Sequence, residues 1–358
     1  APTLHAADSG AGLREFLASR AARDQQVARQ IWDWAEVGYQ ETKSSALLQE
    51  ELTRAGFKAE AGVAGIPTAF VATAGSGEPV IAILAEFDAL PGINQDAVPE
   101  RSPIAGKGAG HACGHHLFGT ASVSAGIAIA DWLKRSKTPG TLRVYGTPAE
   151  EGGSGKVYMV RAGLFDDVDA VLHWHASDVN FAGVDKALAN KSAKFRFRGL
   201  SAHASGAPDK GRSALDGVEA MNMMANMMRE HIPSDARMHY VITSGGSAPN
   251  VVPDFAEVYY YVRHADAPMV ESIFDRLVKI SEGAALGTGT TVDHEIIGGT
   301  HNLLANEALA RMMNEKLNEV GGFAYSPEEQ AFAEKIYATL MSPSVPLDSH
   351  SVVQAYDF

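Results

Sequence analysis

The sequence contains a single cysteine, Cys113, among 358 residues, so no disulfide can form within the chain. It has no run of the ~18 apolar residues that a membrane-spanning helix needs. The HExxH, GxSxG and P-loop patterns are also missing, which removes the simplest signals for a single-zinc protease, a serine hydrolase and a nucleotide site. The first residue is Ala rather than Met, and the sequence leaves both a cytoplasmic and a periplasmic location open.

Positive charge is also scarce. The chain has 30 basic and 43 acidic residues, giving a net charge of −13. This charge repels nucleic acid and anionic membrane surfaces, so neither is an expected partner. Hydrophobic residues make up 46% of the chain and charged residues 20%, as in an ordinary globular protein. The length favours two domains over one.

The apolar pattern predicts an α/β fold. Residues 12–56 carry apolar positions at helical spacing, and residues 120–134 do so again. Three further segments are typical of buried strands: VIAILAEFDAL, LRVYGTPAEEGG and DAVLHWHAS. Each runs into a loop of carboxylates or histidines, and open α/β sheets place their sites at such strand ends.

The character of the sequence changes near Asn190. From there, strand and helix patterns alternate in the order β-α-β-β-α-β up to about residue 300, which is typical of a ferredoxin-like layer. Helical patterns then return. We therefore expect a first catalytic segment over residues 1–190, an inserted domain over 191–301 and the rest of the catalytic domain over 302–358.

The densest chemical signal is GHACGHH, which holds His111, Cys113, His115 and His116. Its glycines permit tight turns, so that side chains two residues apart can converge. A thiolate and an imidazole suit a transition-metal ion better than calcium or magnesium. The alternative is a buried histidine-rich turn without metal.

Two later segments add carboxylates and histidines. Glu150 and Glu151 are adjacent in a loop, so one can bind a metal while the other accepts a proton from water. Taken alone, they could equally be two solvated acids. His173 and His175 follow the next strand, and we expect only one of them to join the site. Asp88, at the end of the first strand, is a candidate for orienting a ligand imidazole.

These motifs, together with GLSAHAS and GGSAPNVVPDFAEVYYYVR, resemble the amidohydrolase branch of the M20 metallopeptidase family. The resemblance runs from about residue 30 to residue 340. It implies a metal-binding α/β domain with a mixed sheet flanked by helices, interrupted by a ferredoxin-like α+β lid that also forms a dimer contact. It further implies two divalent metal ions, manganese or zinc, with Glu150 as the general base. The implied metal ligands are Cys113, His115, Glu151 and His175.

The resemblance also assigns residues of the lid. His203 matches a histidine that polarises the scissile carbonyl. Asn250 and Arg263, expected on adjoining strands of the lid, match positions that bind the carboxylate end of the substrate. The implied assembly is a homodimer, and the alternative is pairing with an unlike subunit. Without the resemblance, His203 would be an ordinary surface histidine and Arg263 an ordinary strand arginine.

Two positions depart from the family pattern. His116 stands where the wider branch has Asp after its CGH motif. In addition, the family takes a last metal-ligand histidine from a glycine- and threonine-rich C-terminal segment. Nothing after Ser342 resembles that segment, and His350 lacks its context. We therefore expect that the chain is truncated or that it lacks full metal binding.

The reaction that the resemblance implies is hydrolysis of an N-acyl amino acid, such as an aromatic acyl-glutamate or acyl-aspartate like p-aminobenzoyl-glutamate. Two alternatives remain open at this stage. One is another M20 activity, such as that of a dipeptidase or an auxin-conjugate hydrolase. The other is a non-catalytic binding partner that keeps the fold without a complete site.

Overall fold

The computed structural model of the chain describes residues 6–184 and 187–341, together with residues 343 and 352. These residues form two compact units. The first lies within Ala1–Phe181 and Glu315–Ala355, and the second within Ala182–Asn314 and Tyr356–Phe358. Most residues of the predicted C-terminal segment after 341, including His350, lie outside the described residues.

The first unit is built on a five-stranded mixed sheet. Its elements, in chain order, are α1 (Ala6–Trp34), α2 (Thr42–Arg54), β1 (Lys58–Ala61), β2 (Phe70–Ser76), β3 (Val80–Ala85), β4 (Leu90–Pro91), β5 (Ala109–Gly110), α3 (His115–Ser136), β6 (Gly140–Gly146), the single turn α4 (Glu150–Gly153), α5 (Gly155–Arg161) and β7 (Ala170–Leu172). The strand order is β1-β2-β6-β3-β7. Strands β6 and β7 both run parallel to β3, whereas β1 and β2 pair in antiparallel fashion.

Alternate side chains of β3 enter two different cores. Ile83 packs with the apolar faces of α1, α2 and α3, while Ala82 and Leu84 pack on the opposite side with Tyr145 and Met159. Because successive strand residues point to opposite faces, a strand covered on both faces must be apolar throughout. The prediction of a buried strand in VIAILA, and of a mixed sheet between helices, is confirmed.

Helix α3 approaches the sheet closely through glycine. A Cβ on Gly119 would lie 2.6 Å from the Glu86 carbonyl oxygen, and one on Gly126 would lie 2.6 Å from Cγ2 of Val144. The helix begins at His115, five residues before the predicted start at Thr120. The first turn of α3 therefore lies directly against the end of β3.

The second unit has the predicted β-α-β-β-α-β order. Its elements are β8 (Ala189–Arg198), α6 (Ala214–Met228), β9 (Arg237–Ser244), β10 (Phe255–His264), α7 (Ala267–Thr288) and β11 (Thr291–Thr300). The sheet is antiparallel in the order β11-β8-β10-β9. Phe195, Phe197 and Tyr260 belong to the core between this sheet and its two helices.

Two more helices follow, α8 (Glu307–Val320) and α9 (Pro327–Tyr337). Ser326 caps α9, because its hydroxyl accepts from the Glu329 N–H while the Glu329 carboxylate accepts from the Ser326 N–H. Within the part of the chain that the structure describes, no helix is long and apolar enough to cross a membrane.

Glu51 joins the first two helices through a buried ion-pair cluster. The side chain is 5% exposed and accepts hydrogen bonds from Arg23 at 2.6 and 3.0 Å, with Arg20 at 3.4 Å and Arg54 at 3.2 Å. Burial acts to raise the pKa of Glu51, but the hydrogen bonds and charges of Arg23 and Arg20 outweigh it and hold the pKa below its ordinary value.

We expect Glu51→Gln to lower the free energy of unfolding by about 2 kcal/mol at neutral pH, because three guanidinium groups lose a buried anion. The folded pKa of Glu51 is depressed, so this stabilisation is present above the ordinary glutamate pKa and is lost as the pH falls through the folded value. Denaturant unfolding at several pH values measures the difference. Glu50→Gln, an exposed neighbour paired with Arg54, is the control. A difference that persists unchanged at low pH contradicts the prediction.

Candidate metal centre

The predicted site residues of the first unit come from loops at one edge of the sheet. Strands β3, β6 and β7 are parallel, so their carboxyl ends meet at the same edge. Asp88 follows β3, Glu150 and Glu151 follow β6, and His175 follows β7. In open α/β sheets, ligands bind beyond the carboxyl ends of the parallel strands, and the predicted carboxylates and imidazoles lie at that edge.

His115 lies at the centre of the cluster and is fully buried. Its Nδ1 is 3.0 Å from Asp88 Oδ1 and 3.1 Å from the Asp88 carbonyl oxygen. These two acceptors require the proton on Nδ1, which leaves the lone pair of Nε2 able to bind a metal ion. Asp88 Oδ2 also accepts the Glu151 N–H at 2.8 Å. Asp88 therefore contacts two elements of the site at once.

Cys113 and His175 converge on the other side of His115. The Cys113 Sγ lies 3.3 Å from His175 Nε2, and His175 Nδ1 lies 2.8 Å from the Ala176 carbonyl oxygen. One ligand atom from each of Cys113, His115 and His175 lies within 4.8 Å of the others. Gly114, with a φ of 82°, makes the turn between the thiol and the helix, a conformation that favours glycine.

Glu150 and Glu151 are adjacent in a tight turn and differ in their exposure. Carboxylate oxygens of both lie 4.0 Å from His115 Nε2, but the Glu150 side chain is 45% exposed and that of Glu151 only 18%. Burial, followed by the charge of Glu86, raises the pKa of Glu150. The Glu150 carboxylate therefore takes up a proton more readily than an ordinary glutamate does.

Glu86 is a site residue that the sequence analysis missed. Its Oε2 lies 3.0 Å from His115 Nε2, and its Oε1 forms an ion pair with Lys156. Burial acts to raise the pKa of Glu86, but the contact with His115 and the Lys156 charge lower it to about 2. The available signal is its position two residues before Asp88, since alternate residues at a strand end share a face.

The described residues fit a metal cation. Among the described residues, Oε1 of Glu151 is buried without a hydrogen-bond partner, and Nε2 of His115 and Oε2 of Glu86 have only each other, 3.0 Å apart. Such atoms are uncommon in folded proteins unless an ion or water contacts them. Burial acts to lower the pKa of His115, but the Asp88 and Glu86 carboxylates raise it to about 10, so the surroundings favour positive charge. Thiol, imidazole and carboxylate ligands together suit zinc or manganese.

The Cys113 thiol depends on such a cation to ionise. Burial raises its pKa to about 12, and the neighbouring Glu151 and Glu150 carboxylates act in the same direction. A coordinated metal ion deprotonates a thiol outright, which reverses this effect. Cys113 therefore matches the behaviour of a metal ligand better than that of a free nucleophile.

Residues 82–341 of the chain match the family model described as Peptidase family M20/M25/M40. The chain belongs to this family. The B component of p-aminobenzoyl-glutamate hydrolase from Escherichia coli (strain K12) is 46% identical over 320 residues, which cover 88% of the chain and 66% of that relative. The chain thus spans just under two thirds of the length of this relative. The resemblance to M20 metallopeptidases predicted from the motifs is confirmed.

Solved structures share the fold. The crystal structure of an aminobenzoyl-glutamate utilization protein from Klebsiella pneumoniae has a TM-score of 0.69 at 20% identity, covering 91% of this chain and 90% of that one. A dinuclear metal binding peptidase of the M20 family from Bacillus subtilis has a TM-score of 0.60 at 20% identity, covering 86% and 80%. At these identities the likeness shows the M20 fold alone.

The remaining histidines of the motifs are not part of the cluster formed by Cys113, His115 and His175. His111 is buried with its Nε2 3.1 Å from the Ile31 carbonyl oxygen, and His116 packs edge-on against Trp32 with ring centroids 5.0 Å apart. Burial lowers the pKa of His111 to about 3 and that of His116 to about 4, so both are neutral packing groups. His173 belongs to neither of the two ligand groups found among the described residues.

The predicted site residues of the second unit lie at two places. His203 and Asn250 are neighbours, since Ala204 N–H donates to the Asn250 carbonyl oxygen at 3.1 Å. His203 Nδ1 accepts the Gly206 N–H at 3.0 Å, which places the imidazole proton on Nε2. Arg263 lies near the other end of β10, about 25 Å along the strand from Phe255.

The expectation that Asn250 and Arg263 lie on adjoining strands is wrong. Asn250 lies on the loop after β9, at the Phe255 end of β10, rather than on a strand beside Arg263. The sequence places the two residues on adjoining strands, but the loop carries Asn250 back towards His203. The Arg263 guanidinium instead lies 5.1 Å from the Tyr261 ring centroid.

A further group, missed by the sequence analysis, holds the turn of Glu150 and Glu151. Ala149 has a φ of 56°, a left-handed conformation that is unfavourable for residues other than glycine. Its N–H donates to Oε1 of buried Glu41 at 2.8 Å, while the Thr68 hydroxyl donates to Oε2 at 3.0 Å. The Tyr39 hydroxyl also donates to the Gly153 carbonyl oxygen. The α1–α2 connection therefore supports the turn.

We expect Glu41→Ala to weaken Zn²⁺ binding by ~10-fold, because the Ala149 N–H loses its buried acceptor and the turn can relax. Glu41→Gln should bind nearly as well as the wild type, since its amide oxygen can accept from Ala149 and its amide group can donate to Thr68. Competition with a chromophoric chelator measures the affinity, and thermal unfolding verifies that both variants fold. Equal affinity in the alanine variant and the wild type would rule out this role for Glu41.

Proposed function

We propose that this chain is a metal-dependent amidohydrolase that cleaves the amide bond of an N-acyl amino acid. The observation that carries the proposal is the convergence of Cys113, His115 and His175 beside the Glu150–Glu151 turn. The identity of 46% with a component of p-aminobenzoyl-glutamate hydrolase supports an aromatic acyl-glutamate, such as p-aminobenzoyl-glutamate, as the substrate.

In this proposal the site holds two divalent ions, manganese or zinc. The ligands would be Cys113, His115, Glu151 and His175, with Asp88 orienting the His115 imidazole. When bound, the ions would lower the pKa of a water molecule and polarise the scissile carbonyl. The buried Glu151 Oε1, which has no hydrogen-bond partner among the described residues, supports this ligand set.

Glu150 acts as the general base. Its carboxylate oxygen is within 4.0 Å of His115 Nε2, yet its side chain is 45% exposed and can meet a substrate. The raised pKa brings it closer to the range in which a base can accept a proton and later return it. Glu150 takes the proton of the attacking water and delivers it to the leaving amine.

His203 contributes a hydrogen-bond donor. Since Nδ1 accepts backbone N–H groups, Nε2–H is available to polarise the carbonyl oxygen of the substrate. Asn250 lies beside it and would bind the carboxylate end of the amino acid.

The assembly belongs to the proposal as well. We propose a homodimer formed through the lid, and the alternative is pairing with an unlike subunit. The unlike pairing is supported by two Escherichia coli relatives, which are two different components of one p-aminobenzoyl-glutamate hydrolase.

A substrate panel tests the proposed function. The purified protein, loaded with Mn²⁺ or Zn²⁺, is assayed for release of free amino acid from p-aminobenzoyl-glutamate, an indoleacetyl-aspartate, a benzoyl-glycine and an Xaa-Arg dipeptide. We expect p-aminobenzoyl-glutamate to give the highest kcat/KM. A higher value for another member would replace the substrate assignment, and metal-free, inactive protein would favour a non-catalytic binding partner.

Glu150→Ala is expected to lower kcat by at least ~10²-fold with the metal content unchanged, because it removes the base but none of the proposed ligands. Glu151→Ala should instead lose both metal and activity. Elemental analysis of each variant, alongside its kcat, separates the two roles. Substantial activity in Glu150→Ala would remove Glu150 from the role of base.

His203→Ala is expected to lower kcat by ~10²-fold while changing KM little, because a donor to the developing oxyanion acts mainly in the transition state. His239→Ala, which removes another exposed histidine of the second unit, is the control. The measurement is steady-state kinetics at saturating Mn²⁺. A change confined to KM would assign His203 to substrate binding instead.

A further inference from the structure

Glu86 has a carboxylate oxygen whose surroundings the proposed ligand set does not explain. The residue is 5% exposed. Its Oε1 pairs with Lys156, whereas its buried Oε2 lies within hydrogen-bond distance of His115 Nε2 alone among the described residues. Both atoms are acceptors when the imidazole carries its proton on Nδ1, so a proton or a metal ion is needed between them.

The separation of these two atoms matches shared coordination. Glu86 Oε2 and His115 Nε2 are 3.0 Å apart. Two ligand atoms at right angles around an ion, each with a bond of ~2.1 Å, lie about 3 Å apart. Together with Glu150, these residues offer three ligand atoms within 4.8 Å of one another.

The ion pair with Lys156 leaves one oxygen of Glu86 to be paired. A buried carboxylate is unfavourable unless both oxygens have partners, and Lys156 contacts only Oε1. In the metal-free chain a proton can join Oε2 to His115 Nε2, and a metal ion between the two atoms would take the place of that proton. Glu150 differs from Glu86 because its side chain is 45% exposed and can meet a substrate, which fits its proposed role as the base.

We propose that Glu86 is a further metal ligand of this site, and that Lys156 is a positioning residue that turns its carboxylate towards the ion. The inference rests on the proposed metal-dependent function and adds to its ligand set. With Nζ on Oε1, Lys156 leaves only Oε2 free for coordination.

The position of Lys156 depends on the turn that carries Glu150 and Glu151, because α5 begins directly after it. Lys156 is the second residue of α5. A Cβ on Gly155, the first residue, would lie 2.0 Å from the Pro148 carbonyl oxygen, so only glycine permits this close approach. One turn therefore supplies the base, a proposed ligand and the lysine that holds Glu86.

The test measures metal binding rather than turnover. Metal-free protein is titrated with Mn²⁺ by calorimetry, and bound metal is counted by elemental analysis. The variants are Glu86→Gln, Glu86→His and Lys156→Met, with Glu60→Gln as the control because Glu60 is an exposed carboxylate on β1. Thermal unfolding verifies that each variant folds.

We expect the wild type and Glu60→Gln to bind two ions. Glu86→Gln should bind one of them at least ~10-fold more weakly, and Lys156→Met should weaken the same ion by a smaller factor. Glu86→His should recover most of the affinity, because an imidazole can coordinate although it cannot pair with Lys156.

Three results would overturn the inference. Unchanged affinity in Glu86→Gln would show that Glu86 does not coordinate. Equally weak binding in Glu86→Gln and Glu86→His would show that Glu86 acts only through its ion pair. In both cases the wild type still binds two ions and the proposed function stands, whereas a wild type that binds no Mn²⁺ or Zn²⁺ would overturn both.

Discussion

The Asp88 carboxylate is the contact on which the arrangement of the site depends. One of its oxygens accepts from His115, at the start of α3, and the other accepts from the backbone of Glu151. A single buried side chain at the end of β3 thus fixes an imidazole and a glutamate from different loops. Asp88 is 1% exposed, so these contacts are made inside the protein rather than through solvent.

Much of the fold could be predicted from residue periodicity. Strand β3 is apolar along its whole length because both faces are covered, and the β-α-β-β-α-β order of residues 189–300 follows from alternating strand and helix patterns. The predicted start of α3 is five residues late, because glycine and two histidines hide the helical pattern at His115. The packing of α3 on β3 decides that boundary, and packing is not encoded in local sequence.

The site was predictable where ligands occur in short motifs and unpredictable where contacts join distant segments. Cys113, His115 and His175 are recognisable because other histidines and glycines surround them in short motifs, and the structure brings the three together. Glu41 lies 108 residues from Ala149 in the chain, and no spacing signals that contact. Asn250 and Arg263 could not be placed correctly, since the path of the loop after β9 determines which end of the sheet it reaches.

Gly119 has a consequence for how this protein tolerates mutation. A glycine within a helix lowers helix stability by roughly 1 kcal/mol relative to alanine, so α3 gives up intrinsic stability at this position. In return, the helix backbone comes so close to the Glu86 carbonyl that no side chain fits between them. Any larger residue must shift the first turn, and the His115 imidazole moves with it. A substitution at Gly119, which has no chemical function of its own, would therefore displace a proposed metal ligand.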